Sequence, residues 1–358
     1  MRRVAVVLFN LGGPDNQAAV RPFLENLFRD PAILRVPGFI RPWLGRFIAG
    51  RRTPAAQANY AMIGGGSPLL ELTRAQAAAL EVQLNAAGDG AEYRCFVAMR
   101  YWHPFAAEVA REVKAWGAEE QVLVPLYPQF STTTSGSSLD DWNTASAKAG
   151  LSLPSTALCC WHSDPGFAAA TAALVRAAHA EALAALPAGT PLRVLFSAHG
   201  LPERIIKQGD PYQWQVEQTV AAVVAALDLP GLDHGVCYQS RVTPQKWIGP
   251  STEAEIERAV HDKVAVLVCP IAFVSDHSET LVELDIEYRE LAEKAGIPGY
   301  FRVPAQNSDP AFIAALSGLV QRSRAGARRL CSFAGGRQCP KQHRDCPHRW
   351  GVSMKIHQ

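Results

Sequence analysis

The chain has 358 residues, 48% of them hydrophobic and 19% charged, with a formal net charge of +2. That balance is ordinary for a folded globular protein and excludes a disordered or fibrous chain. The small net charge, with no run that alternates basic and aromatic residues, gives no case for nucleic acid.

The length exceeds what one core usually supports, so two domains of about 150 residues each are expected. Met1-Arg2-Arg3 and the apolar run after it mimic the start of a secretion signal, but the run is short and stops at Gly12-Gly13-Pro14. Residues 4–10 therefore read as a first strand closed by a glycine turn. No segment approaches the roughly 18 apolar residues of a membrane span. A helix at 17–29 leads into a region unlike the rest. There Ile40, Trp43, Leu44, Phe47 and Ile48 form one apolar helical stripe among Arg41, Arg46, Arg51 and Arg52. The stripe reads either as a surface that rests on an anionic membrane or as a helix packed on its own core and broken by Pro37, Pro42 and Gly45.

Helices at 55–63 and 74–86 flank a glycine-rich loop. A strand at 93–99 follows, with the polar and aromatic cluster Arg100-Tyr101-Trp102-His103-Pro104 at its end. A helix at 105–116 and a strand at 121–125 precede Tyr127, Gln129 and a hydroxyl-rich loop, in which Ser135 to Ser138 suits a helix start. The second half repeats the alternation, with strands at 155–160, 192–197, 234–238 and 264–268 separated by helical stretches. Such βα units imply an α/β fold of two Rossmann-like domains, each a parallel sheet flanked by helices, with a cleft between them. The expected divisions are 4–148, including an apolar lip at 31–54, then 149–305, a helix at 309–322 returning to the first domain, and a tail at 323–358.

Two stretches carry chemistry. His199 follows one wholly apolar strand, and Ser275-Asp276-His277-Ser278-Glu279 follows another, at the edge where parallel sheets place ligands. Glu279, Glu283 and Glu287 then recur at four-residue spacing, which stacks carboxylates along a helix that starts near Thr280. Like charges so spaced repel, by a few tenths of a kcal/mol per pair. The row is either a solvated face or a wet acidic channel for protons or a divalent cation. His199, His277 and Glu279 are expected on one sheet edge, and Arg100, His103 and Tyr127 on the matching edge of the other domain.

Six segments in order, LFNLGGP at 8–14, MRYWHP at 99–104, LYPQFSTTTSGSS at 126–138, LFSAHGLPER at 195–204, CYQSRVTPQKWIGP at 237–250 and PIAFVSDHSETLVELDIEY at 270–288, resemble the protoporphyrin ferrochelatase family. The resemblance implies an enzyme that inserts Fe2+ into protoporphyrin IX to make protohaem. It implies His199 and Glu279 as the catalytic pair and first contacts of the iron, with His277, Glu283 and Glu287 lining the site. It also implies Leu11, where many relatives have methionine, with Arg100, Tyr127, Ser240, Trp247 and Phe273 as porphyrin contacts. Metallation exchanges two pyrrole protons for one metal ion, so the site needs a base and an exit path; an imidazole with an ordinary pKa near 6.5 suits the first. Iron delivery by the same carboxylates stays open as their role. Also open are a related chelatase acting on coproporphyrin or inserting cobalt or nickel, and a haem carrier or sensor.

Of eight cysteines, Cys95, Cys159, Cys160, Cys237 and Cys269 fall in apolar strands and Cys331, Cys339 and Cys346 in the polar tail. In a reducing compartment the tail thiols read as ligands rather than disulfides. A 2Fe-2S iron–sulfur cluster needs four thiolates, and the resemblance implies that the three tail cysteines hold one with Cys160 or Cys159. Animal relatives place the internal ligand in the loop at 131–134, where this chain has threonine. Zinc held with His343 or His348 is the rival. A cytoplasmic protein touching the inner membrane face, and a homodimer through its C-terminal region, complete the expectation.

Overall fold

The computed structural model describes residues 1–240, 245–327 and 329–350; residues 241–244 of the matched segment at 237–250 and residues 351–358 of the tail lie outside the described residues. The chain divides into two units, the first made of Met1–Cys160, Leu316–Arg337 and the turn Pro347–Trp350, the second of Trp161–Ala315 and Gln338–Cys346.

The first unit holds the strands β1 (Arg2–Asn10), β2 (Ala91–Met99), β3 (Glu120–Pro125), β4 (Ser155–Cys160) and β9 (Leu330–Ser332). Among the described residues they form one parallel sheet in the order β2-β1-β3-β4-β9. Residues 4–10 of β1 are all buried, which is why that segment reads as an unbroken apolar run. The helices α1 (Val20–Arg29), α2 (Arg41–Met62), α3 (Leu69–Ala86), α4 (Ala106–Trp116) and α5 (Ser137–Ala149) accompany it. Trp142 of α5 and Val109 and Val113 of α4 pack with Phe9 and Leu123 in one core.

Two expectations need correction here. The strand at 155–160 belongs to the first sheet, because Gln121 and Leu123 pair with Ser155 and Ala157, so the first unit runs to Cys160 instead of ending at residue 148. The tail is no appendage either, since β9 pairs Cys331 with Leu158. In addition, residues 41–62 form one helix through Pro54, and Gly45 is a notch rather than a break. A methyl group at 45 would lie 3.0 Å from the Phe28 carbonyl oxygen, so glycine is what lets α2 lie against α1.

The second unit is built on β5 (Leu192–His199), β6 (His234–Gln239), β7 (Ala265–Pro270) and β8 (Tyr300–Arg302), parallel in the order β6-β5-β7-β8. Its helices are α6 (Pro165–Ala185), α7 (Glu203–Lys207), α8 (Tyr212–Leu227), α9 (Thr252–Asp262) and α10 (Tyr288–Ala295), and α11 (Pro310–Ala325) starts here and passes to the first unit at Leu316. β5 and β7 are buried on both faces, one core lying under α6 and α8 and the other under α9 and α10. Residues 279–287 form a π-helix that continues as α10, where an α-helix from about residue 280 was expected. π-turns carry extra width per turn and concentrate at functional sites.

Candidate active site

Register alone begins the site. His199, last residue of β5, pairs with Gln239, last of β6, and Ser197 pairs with Pro270, last of β7. Three adjacent strands therefore deliver side chains to one carboxyl edge, and the loop after β7 brings His277 and the π-helix over it.

At the centre a single carboxylate faces two imidazoles. Glu279 Oε1 lies 3.6 Å from His199 Nε2, and Glu279 Oε2 lies 3.4 Å from His277 Nε2. Each ring is aimed from behind. His199 Nδ1 is 2.6 Å from the Gly200 carbonyl and His277 Nδ1 is 3.1 Å from the Ser275 carbonyl. A carbonyl only accepts, so both Nδ1 atoms carry hydrogen and both Nε2 atoms are turned toward Glu279. Phe273 stacks edge-on against His277, with ring centroids 4.6 Å apart. Gly200 is required: a methyl group there would lie 2.9 Å from the Gln239 carbonyl oxygen and 3.3 Å from the Trp247 indole, which rests on it.

Glu283 forms the next layer. Its Oε2 accepts from Gln239 Nε2 at 2.9 Å and from Ser240 Oγ at 2.5 Å, while Tyr288 Oη lies 3.2 Å from its Oε1. Ser240 holds a left-handed backbone, φ 66°, a conformation costly for a non-glycine residue and common where a side chain must be aimed. Gln239 also donates to the Glu279 carbonyl and accepts from Ser197 at 2.8 Å, so its amide orientation is fixed. Glu287 is exposed at the far end of the row. The carboxylates thus run from a half-buried Glu279 to an exposed Glu287.

Electrostatics separate the two inner acids. Burial pushes Glu279 up, but the His199 charge and the hydrogen bond and charge of His277 outweigh it and hold the carboxyl at about 2. Glu283 is raised by burial and then by the negative charge of Glu279, against the pull of Ser240, Gln239 and His199. Two carboxyls on one helix therefore hold protons differently, a pattern typical of proton-handling sites.

Sequence reasoning named His199, His277, Glu279, Glu283, Ser240, Trp247 and Phe273, all of which lie around this edge of the second unit. It missed Gln239, Tyr288 and Glu253. A polar Gln239 ending a buried strand was a readable signal, whereas Tyr288 and Glu253 meet only through tertiary packing, their Oη and Oε1 being 3.2 Å apart.

Leu11, Arg100 and Tyr127 lie in the first unit, beyond the carboxyl ends of β1, β2 and β3. Arg100 donates through Nε to Ser137 at 2.7 Å and through Nη2 to Asp30 at 2.8 Å, and the buried Asp30 also accepts from Tyr101 and Ser137. Burial raises the Tyr127 phenol, with Ser138 and Arg100 working the other way. His103, grouped with them by sequence, instead bonds Glu108 at 2.8 Å and serves the start of α4. In the tail, Cys331, Cys339 and Cys346 are buried, as are Cys159 and Cys160, whose sulfurs lie 3.4 Å apart. Among the described residues no three His, Cys, Asp or Glu side chains are grouped as metal ligands.

Residues 3–324 match the family model described as ferrochelatase. The ferrochelatase of Caulobacter vibrioides is 51% identical over 98% of this chain and 99% of its own. Those of Hyphomonas neptunium and Pelagibacter ubique are 50% and 46% identical over 97% and 96% of this chain, and 95% and 98% of theirs. Among solved structures, the sirohydrochlorin chelatase SirB of Bacillus subtilis subspecies spizizenii with cobalt is 12% identical at a TM-score of 0.49, over 90% of this chain and 95% of that one. With matches this long running through all the site segments, this chain is an enzyme of the ferrochelatase family, a metal chelatase.

Proposed function

We propose that this protein inserts ferrous iron into protoporphyrin IX, releasing protohaem and two protons, the last step of haem formation. The observation that carries the reading is one carboxylate, Glu279, held between two imidazoles whose Nε2 atoms both face it at 3.4 to 3.6 Å. A neutral His199 takes a pyrrole proton at Nε2, and the imidazolium so formed lies against an already ionised Glu279, which favours the transfer. His277 holds the other oxygen of that carboxylate. Glu283 and then Glu287 take the proton outward. Fe2+ is the substrate, met first by His199 and Glu279 as nitrogen and oxygen donors of the kind an exchangeable ferrous ion accepts. Phe273, Trp247 and Ser240 border the macrocycle, and a ring bent by such walls exposes its nitrogens as the transition state demands. In the first unit Leu11, Arg100 and Tyr127 keep the porphyrin-contact roles that the resemblance implies.

Anaerobic mixing of the purified protein with Fe2+ and protoporphyrin IX tests the reading, protohaem being the expected product. Turnover of coproporphyrin or of cobalt and nickel with no turnover of protoporphyrin and iron would replace it with the related chelatase.

The same reading includes a 2Fe-2S cluster held by Cys331, Cys339, Cys346 and Cys160 or Cys159. Gln215 Nε2 donates to Cys339 Sγ at 3.1 Å, a contact that suits a sulfur acting as a thiolate acceptor, and this supports the reading. Such a cluster supplies one-electron redox chemistry when bound. Visible absorption of the porphyrin-free protein is expected; a colourless protein carrying zinc would exclude it. The reading also includes a cytoplasmic protein that docks on the inner membrane face through α2, and a homodimer. No described helix is long and apolar enough to cross a membrane.

A further inference from the structure

Tyr288 stands between two carboxyl groups. Its hydroxyl lies 3.2 Å from Glu283 Oε1 and 3.2 Å from Glu253 Oε1, and its ring is buried with Leu284, Ile256 and Ala292. Glu253 comes from the first turn of α9, just after the capping residue Ser251. Its second oxygen, Oε2, is buried and has no hydrogen-bond partner among the described residues. Such an oxygen is an acceptor whose bonding capacity is unused. One phenolic hydrogen serves a single acceptor well, so Tyr288 bonds both groups fully only when one of them is protonated and donates to the phenolic oxygen. Burial and the charges of Glu283 and Glu253 push the phenol far above its usual range, so it stays un-ionised.

We propose that Tyr288 is a relay residue that passes a proton from Glu283 to Glu253, so that these two carboxyls together store the two protons displaced by metal insertion. The Glu283 O–H bond breaks as its proton bonds to the phenolic oxygen, while the phenolic O–H breaks and its proton bonds to Glu253. Glu283 becomes anionic, Glu253 neutral, and Tyr288 is unchanged; nothing is oxidised or reduced. The inference rests on the metal-insertion reading, in which two protons leave the ring per turnover. Glu283 alone holds one. Emptying it sideways restores an acceptor for the second, on a branch separate from the exposed Glu287.

The test uses the full chain with Tyr288→Phe, which keeps the packed ring, and Glu253→Gln. Porphyrin-loaded protein is mixed anaerobically with ferrous iron while the porphyrin absorption and a pH indicator are followed. Both variants are expected to release the first proton at the wild-type rate, then to release the second and complete metallation about tenfold more slowly. KM for porphyrin is expected unchanged and the solvent isotope effect on kcat larger, whereas a merely structural role would move KM and leave the isotope effect alone. Wild-type kcat in both variants, or a slowed rate with a raised KM and no isotope effect, overturns the relay while leaving metal insertion standing. Should Tyr288→Phe fail to fold, Glu253→Gln decides by the same criteria. Wild-type protein that binds porphyrin yet metallates nothing removes the metal-insertion reading and the relay with it.

Discussion

Glu279 and Glu283 sit four residues apart on one helix yet are pulled in opposite directions, and that difference has consequences in pH. Glu279, held at about 2, is ionised throughout the working range. Its folded pKa lies below the ordinary 4.5, so its contribution to stability is present above that value and is lost as pH falls toward 2. It does not set the acid limb of activity. Glu283 is raised, and a carboxyl must be ionised to accept a proton, so turnover is expected to fall as pH drops through its pKa. The hydroxyl of Ser240 favours the ionised form of Glu283 through its 2.5 Å bond. Ser240→Ala is therefore expected to move the acid limb of kcat to higher pH; a pH–rate profile with an unmoved limb would contradict the assignment. The meeting of His199 and Glu279 at one sheet edge was legible, because the histidine and the polar cluster at 275–279 each follow a wholly apolar strand. The partners of Glu283 were not: Gln239 and Ser240 reach it only once the end of β6 and the π-helix are packed together, and Tyr288 reaches it because the π-helix sets positions five apart side by side.

Arg302 of β8 binds the active edge together at the level of elements. Its Nη1 lies 3.0 Å from Asp276, the residue before His277, and its Nε lies 2.6 Å from Asp285 of the π-helix. Asn307 completes the bracket, donating to Asp276 at 2.9 Å and accepting from its backbone N–H at 3.0 Å. Breaking a buried ion pair from one side is costly, about 3–5 kcal/mol where solvent is excluded. With Arg302 only 11% exposed, Arg302→Ala is expected to destabilise the protein by roughly 3 kcal/mol. Denaturant unfolding checks this, and a loss under about 1 kcal/mol, as for a surface pair, would contradict it. Element types were mostly readable from period and composition. The π-helix was not, because acids at four-residue spacing look the same in an α-helix. The sheet membership of β4 was also hidden, since pairing with β3 is set by tertiary register rather than local pattern.

At the scale of the whole molecule, the first unit exposes an apolar face that its own core does not use. Phe39 is 79% exposed, Trp43 76% and Phe47 59%, while Gly45 and Ala49 of α2 turn inward. Arg46, Arg51 and Arg52 lie among them, a composition suited to an anionic lipid surface. Trp43→Glu is expected to lower co-flotation with anionic liposomes about tenfold, and undiminished flotation would remove the docking face. The central claim concerns the imidazole at the end of β5. In an anaerobic assay with ferrous iron and protoporphyrin IX, His199→Ala is expected to bind porphyrin with near wild-type affinity and to lose metallation by a factor of at least about 100. Turnover retained at the wild-type rate in that variant would contradict the account.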